Sequence, residues 1–496
     1  MPTGEQTGTG TSPQHEGRIA RTALRFTAFT QTWLPDAYGF VLVGTFVVVG
    51  LGLLTGEPLF GRPDDPQATT GFGLIDAWGK GFWALIEFTL QMTMIIIGGY
   101  AVAVSRPIAS VIDRLARIPR GPRSAIAFTA AVAMITAYLN WAFSLIFTAI
   151  LAREIARAVR GVDYRAVGAM AFLGLGTVWA QGLSGSAALQ VASSSSPQGV
   201  RDVVRGAGHF TDGLIPLSHT IFLWQSVVAT IIVFTVAVSM AWFLAPAAES
   251  TRTAADLGIV LPSVLDAATE EADKTRHRIR PGDFIEHSPV FTVLVVLLGG
   301  CYLARHFATA TGGVLSALNF NTINLVLLLA ALLLHWRPVR LAHAVRDAAP
   351  AAAGVLLQFP FYGGIFGLIV YTGLSATISG WLVSVSNAVL YPAVVAGYSC
   401  LLGIFVPSGG GKWVIEAPYL LGAANDLGVN QGWMVVVYDL AEASANFVQP
   451  FWMLPTLAIL GLKARDIMGY TFTMFLVCFP TVLICVTVLG ATLSAP

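Results

Sequence analysis

Four short segments hold the residues whose types and spacing suit chemistry. They are Leu139-Asn140-Trp141, Gln181-Gly182-Leu183-Ser184-Gly185-Ser186, Pro407-Ser408-Gly409-Gly410-Gly411-Lys412 and Glu442-Ala443-Ser444-Ala445-Asn446-Phe447-Val448-Gln449-Pro450. Each interrupts an apolar run. Their Ser, Asn and Gln side chains are neutral hydrogen-bonding groups. Three consecutive glycines make a poor helix but let backbone approach a ligand closely. Pro450 ends a helix. A broken helix exposes a new N-terminus, with free N–H groups and the positive end of the dipole, which suits a small anion. Unwound carbonyls and side-chain oxygens in the same places can hold a small cation, and Na+ is expected near Asn140 and Ser408. Trp141, Phe143 and Trp413 bring apolar cover for a short alkyl chain.

Lys412 is the only cation within these four segments. One such charge suits one carboxylate. Two other roles stay open for it: an ion pair with Glu442, or snorkelling into an aqueous vestibule. Four acids lie inside apolar runs: Glu87, Glu416, Asp439 and Glu442. A charge at mid-bilayer costs about 2.5–3.5 kcal/mol on insertion scales. Asp439 and Glu442 stand three residues apart, on one helix face. Two neighbouring acids raise each other's proton affinity. Glu442 is therefore the first candidate for proton or ion coupling and Asp439 the second. Glu87 and Glu416 read as structural or vestibule-facing.

The elements that position these residues must lie in lipid. Of the 496 residues 55% are hydrophobic and only 11% are charged, against about 25% charged in a soluble domain. Mean hydropathy is +0.71. The segment before residue 18 is polar, lacks the apolar stretch of a signal peptide and reads as disordered. Apolar runs long enough for helices fall at Tyr38–Thr55, Phe82–Val104, Ser124–Ala152, Ala166–Ser196, Ser218–Pro246, Pro289–Phe307, Asn319–Trp336, Pro350–Tyr371, Tyr391–Ala424, Gly432–Leu462 and Ile467–Leu493. The expected fold class is an all-α membrane protein of about nine transmembrane helices plus two re-entrant hairpins. Basic residues collect in cytoplasmic loops. Arg18, Arg21 and Arg25 put the N-terminus inside. Basic flanks on both sides of 124–152 (Arg123 and Arg153 nearest) make that run a hairpin that enters and leaves on one side. The path then places the C-terminus outside, with Arg201 and Arg205 against the rule.

The halves match in spacing. Gln91 and Gln358 are 267 residues apart, Asn140 and Ser408 are 268 apart, and so are Gln181 and Gln449. The halves start from opposite sides of the membrane, so the repeat is inverted, as in many transporters. The expected organisation is a cytoplasmic N-terminal segment (1–31), a first repeat (32–246, with hairpin 124–152 and broken helix 166–196) and a cytoplasmic loop (247–288). A linking helix (289–318) and a second repeat (319–493, with hairpin 391–424 and broken helix 432–462) follow.

Other classes are poorly served. The net charge is +1 and no basic stripe invites nucleic acid. Cys301, Cys400, Cys478 and Cys485 lie scattered in apolar runs and read as buried small hydrophobes. No two of the eight histidines have the four-residue spacing of a helical metal site. No Gly-Lys-Ser/Thr phosphate loop is present, which argues against an ATP-driven pump. Gly182-Leu183-Ser184-Gly185-Ser186 lacks the final glycine and the preceding strand of a nucleophile elbow. The chain does not read as an enzyme, and no cofactor is expected beyond a coupling H+ or Na+.

The stretches Asn140-Trp141-Ala142-Phe143, Phe405-Val406-Pro407-Ser408-Gly409-Gly410-Gly411-Lys412-Trp413-Val414-Ile415, Gln449-Pro450-Phe451-Trp452 and Asp466-Ile467-Met468-Gly469-Tyr470 resemble the bacterial short-chain fatty acid transporter family, over about Thr32 to Leu489. That resemblance implies a plasma (inner) membrane protein of the ion-transporter superfamily. It implies a scaffold and a mobile transport domain that move as an elevator, and a homodimer. The implied cargo is acetoacetate, butyrate or a similar monocarboxylate. Lys412 stands where members of that family can carry His, which leaves its role open. A dicarboxylate or amino-acid carrier of the same architecture is the alternative. The expected substrate residues are Asn140, Trp141, Gln181, Ser184, Gly185, Ser186, Ser408, Gly409, Gly410, Gly411, Lys412, Trp413, Asn446 and Gln449. Partners are then the monocarboxylate and the lipid bilayer.

Overall fold

A computed structural model describes residues 37–61, 73–194, 196–261, 263, 284–310, 317–405 and 408–493. Among these residues the protein is helical, with no strand. The segment before residue 37, half of the expected cytoplasmic loop (262 and 264–283) and Pro407 lie outside the described residues.

The first half begins with α1 (Ala37–Leu54), the short α2 (Leu74–Phe82) and the apolar α3 (Ile86–Ala103). The amphipathic α4 (Arg106–Ala116) starts on a proline and buries Ala109, Ile112 and Ala116. Proline is tolerated there because the first helical N–H has no partner anyway. The arms α5 (Pro122–Leu139) and α6 (Trp141–Ala158) are joined through Asn140 alone. The next run is broken into α7 (Tyr164–Ala171), α8 (Leu173–Thr177), a 3-10 turn at Trp179–Gln181 and α9 (Ser186–Val191). The half closes with α10 (Gln198–Gly206) and α11 (Trp224–Phe243).

After α12 (Phe284–His287), the long helices are α13 (Pro289–Ala308), α14 (Phe320–His335) and α15 (Pro338–Val370). Sequence reading starts this span at Pro350. The structure instead runs the basic segment before it and the span as one 33-residue helix with Pro350 and Pro360 inside. In a packed membrane bundle, neighbouring helices can meet the backbone groups that a proline frees. The short α16 (Leu374–Ser384) packs on a later helix, where sequence reading left a connection. Its 11 residues are too few to span lipid. The chain ends with α17 (Tyr391–Phe405), α18 (Gly409–Leu427), α19 (Gln431–Ala445), a 3-10 turn at Phe451–Met453, α20 (Leu454–Leu460) and α21 (Ala464–Gly490).

Among the described residues, six helices are long and apolar enough to cross a membrane: α3, α5, α11, α13, the 352–370 part of α15, and α21. The core runs through the interrupted segments. Every residue of α19 is buried, whereas α13 buries Thr292 alone. Cys400, Cys478 and Cys485 are buried as expected, but Cys301, on α13, is exposed. Its whole helix is an apolar outer face, so an apolar run there does not mean burial in protein.

Candidate functional site

The helices that follow Asn140 and Ser408 start by the same local device. Asn140 is extended (φ −158°, ψ 122°), and its Oδ1 accepts the N–H of Phe143 at 2.8 Å. Ser408 is extended (φ −148°, ψ 91°), and its Oγ accepts the N–H of Gly411 at 3.2 Å. In each, one residue caps the helix that follows. The three glycines are therefore not unwound, as their low helix propensity led us to expect: they form the first turn of α18. Packing explains them. A Cβ on Gly409 would stand 2.7 Å from the Trp179 ring, on Gly410 2.6 Å from Phe88, and on Gly411 2.6 Å from Tyr362. Only glycine brings this helix start so close to three aromatic rings.

The interruptions are tied to one another. The N–H of Trp141 donates to Ser184 Oγ at 3.0 Å, and the N–H of Leu183 to the Tyr138 carbonyl at 2.8 Å, which fastens the first tip to the first break. Asn446 Nδ2 donates to the Leu175 carbonyl at 3.0 Å, linking the second break to α8. Tyr438, on α19, donates to the Gly409 carbonyl at 2.5 Å. Four places far apart in the chain thus form one polar seam inside the bundle.

A cavity of about 650 Å³, with the open space at its mouth included, opens at this seam. Of the expected substrate residues, Trp141, Ser186, Ser408, Gly409, Gly410 and Asn446 line it. The indole N–H groups of Trp141 and Trp179 and the hydroxyl of Ser186 are buried without a hydrogen-bond partner. The Gly409 and Gly410 N–H groups belong to the first turn of a helix, where no intrahelical acceptor exists. Trp141 meets Trp179 and Trp452 edge-on, with centroids 6.1 and 5.2 Å apart. Met92, Val355 and Phe359 add an apolar wall, and Gln358 stands beside them. Sequence reading did not put Trp179, Trp452 or Gln358 in the site. Trp179 and Trp452 each lie two residues from Gln181 and Pro450, and that proximity was the available signal.

The other expected residues support the cavity from behind. Ser184 holds Trp141, as above, and Gly185 precedes α9 as its cap. The Asn140 amide Nδ2 is buried without a partner, but Asn140 is not in the cavity lining. Gln181 spans to the Val436 carbonyl at 3.2 Å and accepts Ser226 at 2.7 Å. Gln449 donates to Asn446 Oδ1 at 2.6 Å and accepts the Phe451 N–H at 2.7 Å. Trp413 is fully buried against Tyr438, with centroids 4.8 Å apart.

Lys412 also lies outside the lining, with no exposed surface. Its Nζ sits 3.1 Å from Glu416 Oε1, 3.0 Å from Glu442 Oε2 and 3.1 Å from the Ser399 carbonyl, and 4.2 Å above the Tyr438 ring centroid. Of the roles left open for it, the ion pair is the one present. A buried ammonium demands carboxylates around it, and Glu416, four residues on, joins Glu442 there. Glu416 thus belongs to an ion cluster that its apolar sequence context concealed. Asp439 is buried, and its Oδ2 has no hydrogen-bond partner. Glu87 lies apart, accepting Gln91 Nε2 at 3.3 Å.

The family model for short-chain fatty acid transporters matches residues 18–489. The chain belongs to that family. A protein of Escherichia coli K12 named "Putative short-chain fatty acid transporter" is 34% identical over 93% of this chain and 97% of its own. A Haemophilus influenzae protein of the same name is 30% identical over 94% and 99%. The solved structure of the Alcanivorax borkumensis YdaH transporter superposes with a TM-score of 0.58 at 16% identity, covering 92% of this chain and 98% of that one. Neisseria gonorrhoeae MtrF, presented as illuminating a class of antimetabolite efflux pumps, gives 0.55 at 14% identity, covering 96% and 98%. At these identities the two structures speak for the fold. Members of the short-chain fatty acid transporter family are transporters and not enzymes. With its apolar helices, this member is a multi-pass membrane protein. Its matched region contains both hairpins, both breaks and the Lys412 cluster.

Proposed function

We propose that this protein is a secondary active carrier of short-chain monocarboxylates such as acetoacetate or butyrate. The observation that carries the reading is the composition of the cavity. Among the described residues its lining holds no Lys, Arg, His, Asp or Glu, yet it gathers the unpartnered Trp141 and Trp179 indole N–H groups and Ser186 hydroxyl, the Ser408 hydroxyl, the Gln358 and Asn446 amides and the start of α18. Neutral donors and a helix N-terminus suit one carboxylate, and the aromatic and aliphatic walls suit a short tail. A dicarboxylate or an amino acid would leave a second charge without a partner, at a large desolvation cost.

The coupling ion is H+ or Na+, and Glu442 and Asp439 are the residues for it. One ammonium, Lys412, faces two carboxylates, and Asp439 lies one turn from Glu442. That excess of acid favours a bound proton or cation. Transport proceeds by an elevator movement of the hairpins and broken helices against a scaffold, in a homodimer of the inner membrane. The N-terminus is cytoplasmic, the C-terminus outside, and the two halves are inverted repeats. The hydrogen bonds that tie the tips and breaks into one body support such a rigid moving unit.

Uptake of labelled butyrate and acetoacetate into proteoliposomes tests this, in Na+-free buffer at pH 6 and pH 8 and again with Na+. Saturable uptake that needs one ion gradient is expected. No saturable uptake under any gradient, or inhibition by succinate or arginine but not by butyrate, would overturn it.

A further inference from the structure

The cavity has two unlike faces. The hairpin tips and breaks bring backbone and indole N–H groups, which only donate, together with the Ser186 and Ser408 hydroxyls and the Asn446 amide. The opposite wall belongs to α15, which presents Gly354, Val355, Gln358 and Phe359. Gln358 is the one primary amide on that wall, half-buried, one helical turn from Gly354. A Cβ built on Gly354 would have Gln358 Nε2 as its single neighbour within 4 Å, at 3.7 Å. The space beside the amide is therefore open. An amide offers both a donor and an acceptor, which suits a neutral oxygen and gives no counter-charge to a second carboxylate.

We propose that Gln358 is a specificity-determining residue: it binds a neutral oxo or hydroxy oxygen on the cargo's tail, in the space that Gly354 leaves free. This rests on the monocarboxylate reading above and deepens it. The carboxylate lies against α18, and the tail crosses towards α15. A tail with an oxygen at its third carbon meets the amide, while a plain alkyl tail leaves that amide to water.

The test compares uptake of butyrate, 3-hydroxybutyrate and acetoacetate by wild type, Gln358→Leu and Gln358→Asn in proteoliposomes. A second variant, Gly354→Val, fills the same space while leaving the Gln358 amide in the chain. Elution as a single detergent-solubilised species establishes folding. Wild type should favour the oxygenated acids. Gln358→Leu should cut that preference by about 3–10-fold, the worth of one neutral hydrogen bond, mainly through the KM of the oxygenated acids. Gly354→Val should impair acetoacetate more than acetate. If wild type takes up butyrate and acetoacetate but the ratios stay the same in the variants, this proposal falls and the carrier reading stands. If wild type takes up no monocarboxylate, the carrier reading falls and this proposal with it.

Discussion

The second arms of the two hairpins share a backbone and differ in what they carry. α6 and α18 each follow one extended residue whose side chain caps the new helix. At the 268-residue spacing of Asn140 and Ser408, Lys412 corresponds to Ser144 and Glu416 to Thr148. Ser144 Oγ bonds Thr136 Oγ1 at 2.9 Å and the Ala133 carbonyl at 3.0 Å, and Thr148 Oγ1 bonds the Ala171 carbonyl at 2.7 Å. These neutral hydroxyls are satisfied by nearby backbone. In α18 the same positions hold an ammonium and a carboxylate, joined by Glu442 from α19. The turn is therefore independent of the charge behind it. The first hairpin is built as a neutral anchor. The second carries a group of buried charges that must be balanced.

The strongest way to break this contrast is to remove one charge. Lys412→Met leaves two buried carboxylates facing each other. A loss of about 3–5 kcal/mol is expected, as for a broken buried ion pair, read as a drop in unfolding temperature in detergent. Ser144→Ala, on the neutral side, should cost about 1 kcal/mol. Equal losses would erase the distinction. Replacing Lys412, Glu416 and Glu442 together by Met, Gln and Gln should restore much of the stability without restoring ion-dependent uptake.

Gly409→Val probes the cavity next. Its side chain would start 2.7 Å from the Trp179 ring, so a fall in uptake of at least about tenfold is expected, equivalent to about 1.4 kcal/mol. Caps come third. Asn140→Ala and Ser408→Ala each remove a helix cap worth about 0.5–2 kcal/mol. Both variants should remain folded in the membrane while losing uptake. Wild-type rates from both would refute the placement of the pocket at the tips. The smallest effect is expected for Tyr438→Phe, which keeps the ring over Lys412 but loses the bond to the Gly409 carbonyl. About 0.5–1.5 kcal/mol of stability and a change in the pH dependence of uptake should follow. An unchanged pH profile would detach the ion cluster from the tip.

Composition and spacing made the class of the protein legible. Few charges over a long apolar chain leave lipid as its solvent, and irregular polar segments inside such a chain must face protein or a cavity. That reasoning put the interruptions at Leu139–Trp141, Gln181–Ser186, Pro407–Lys412 and Glu442–Pro450, because glycine, proline and capping residues act locally; the structure keeps helix to Ala445 and resumes it at Gly409. Partners across the fold are set by tertiary packing, which spacing does not encode. Whether Lys412 meets cargo or Glu442 depended on how α18 and α19 pack, whereas its partner Glu416 lies one turn on along the same helix. Gln358 entered the cavity only because α15 forms its opposite wall, and the glycines became helical only because three aromatic rings need them small. Local propensity determined where the chain breaks; long-range packing in a low-dielectric interior, where every buried charge must find its partner, decided what each break faces.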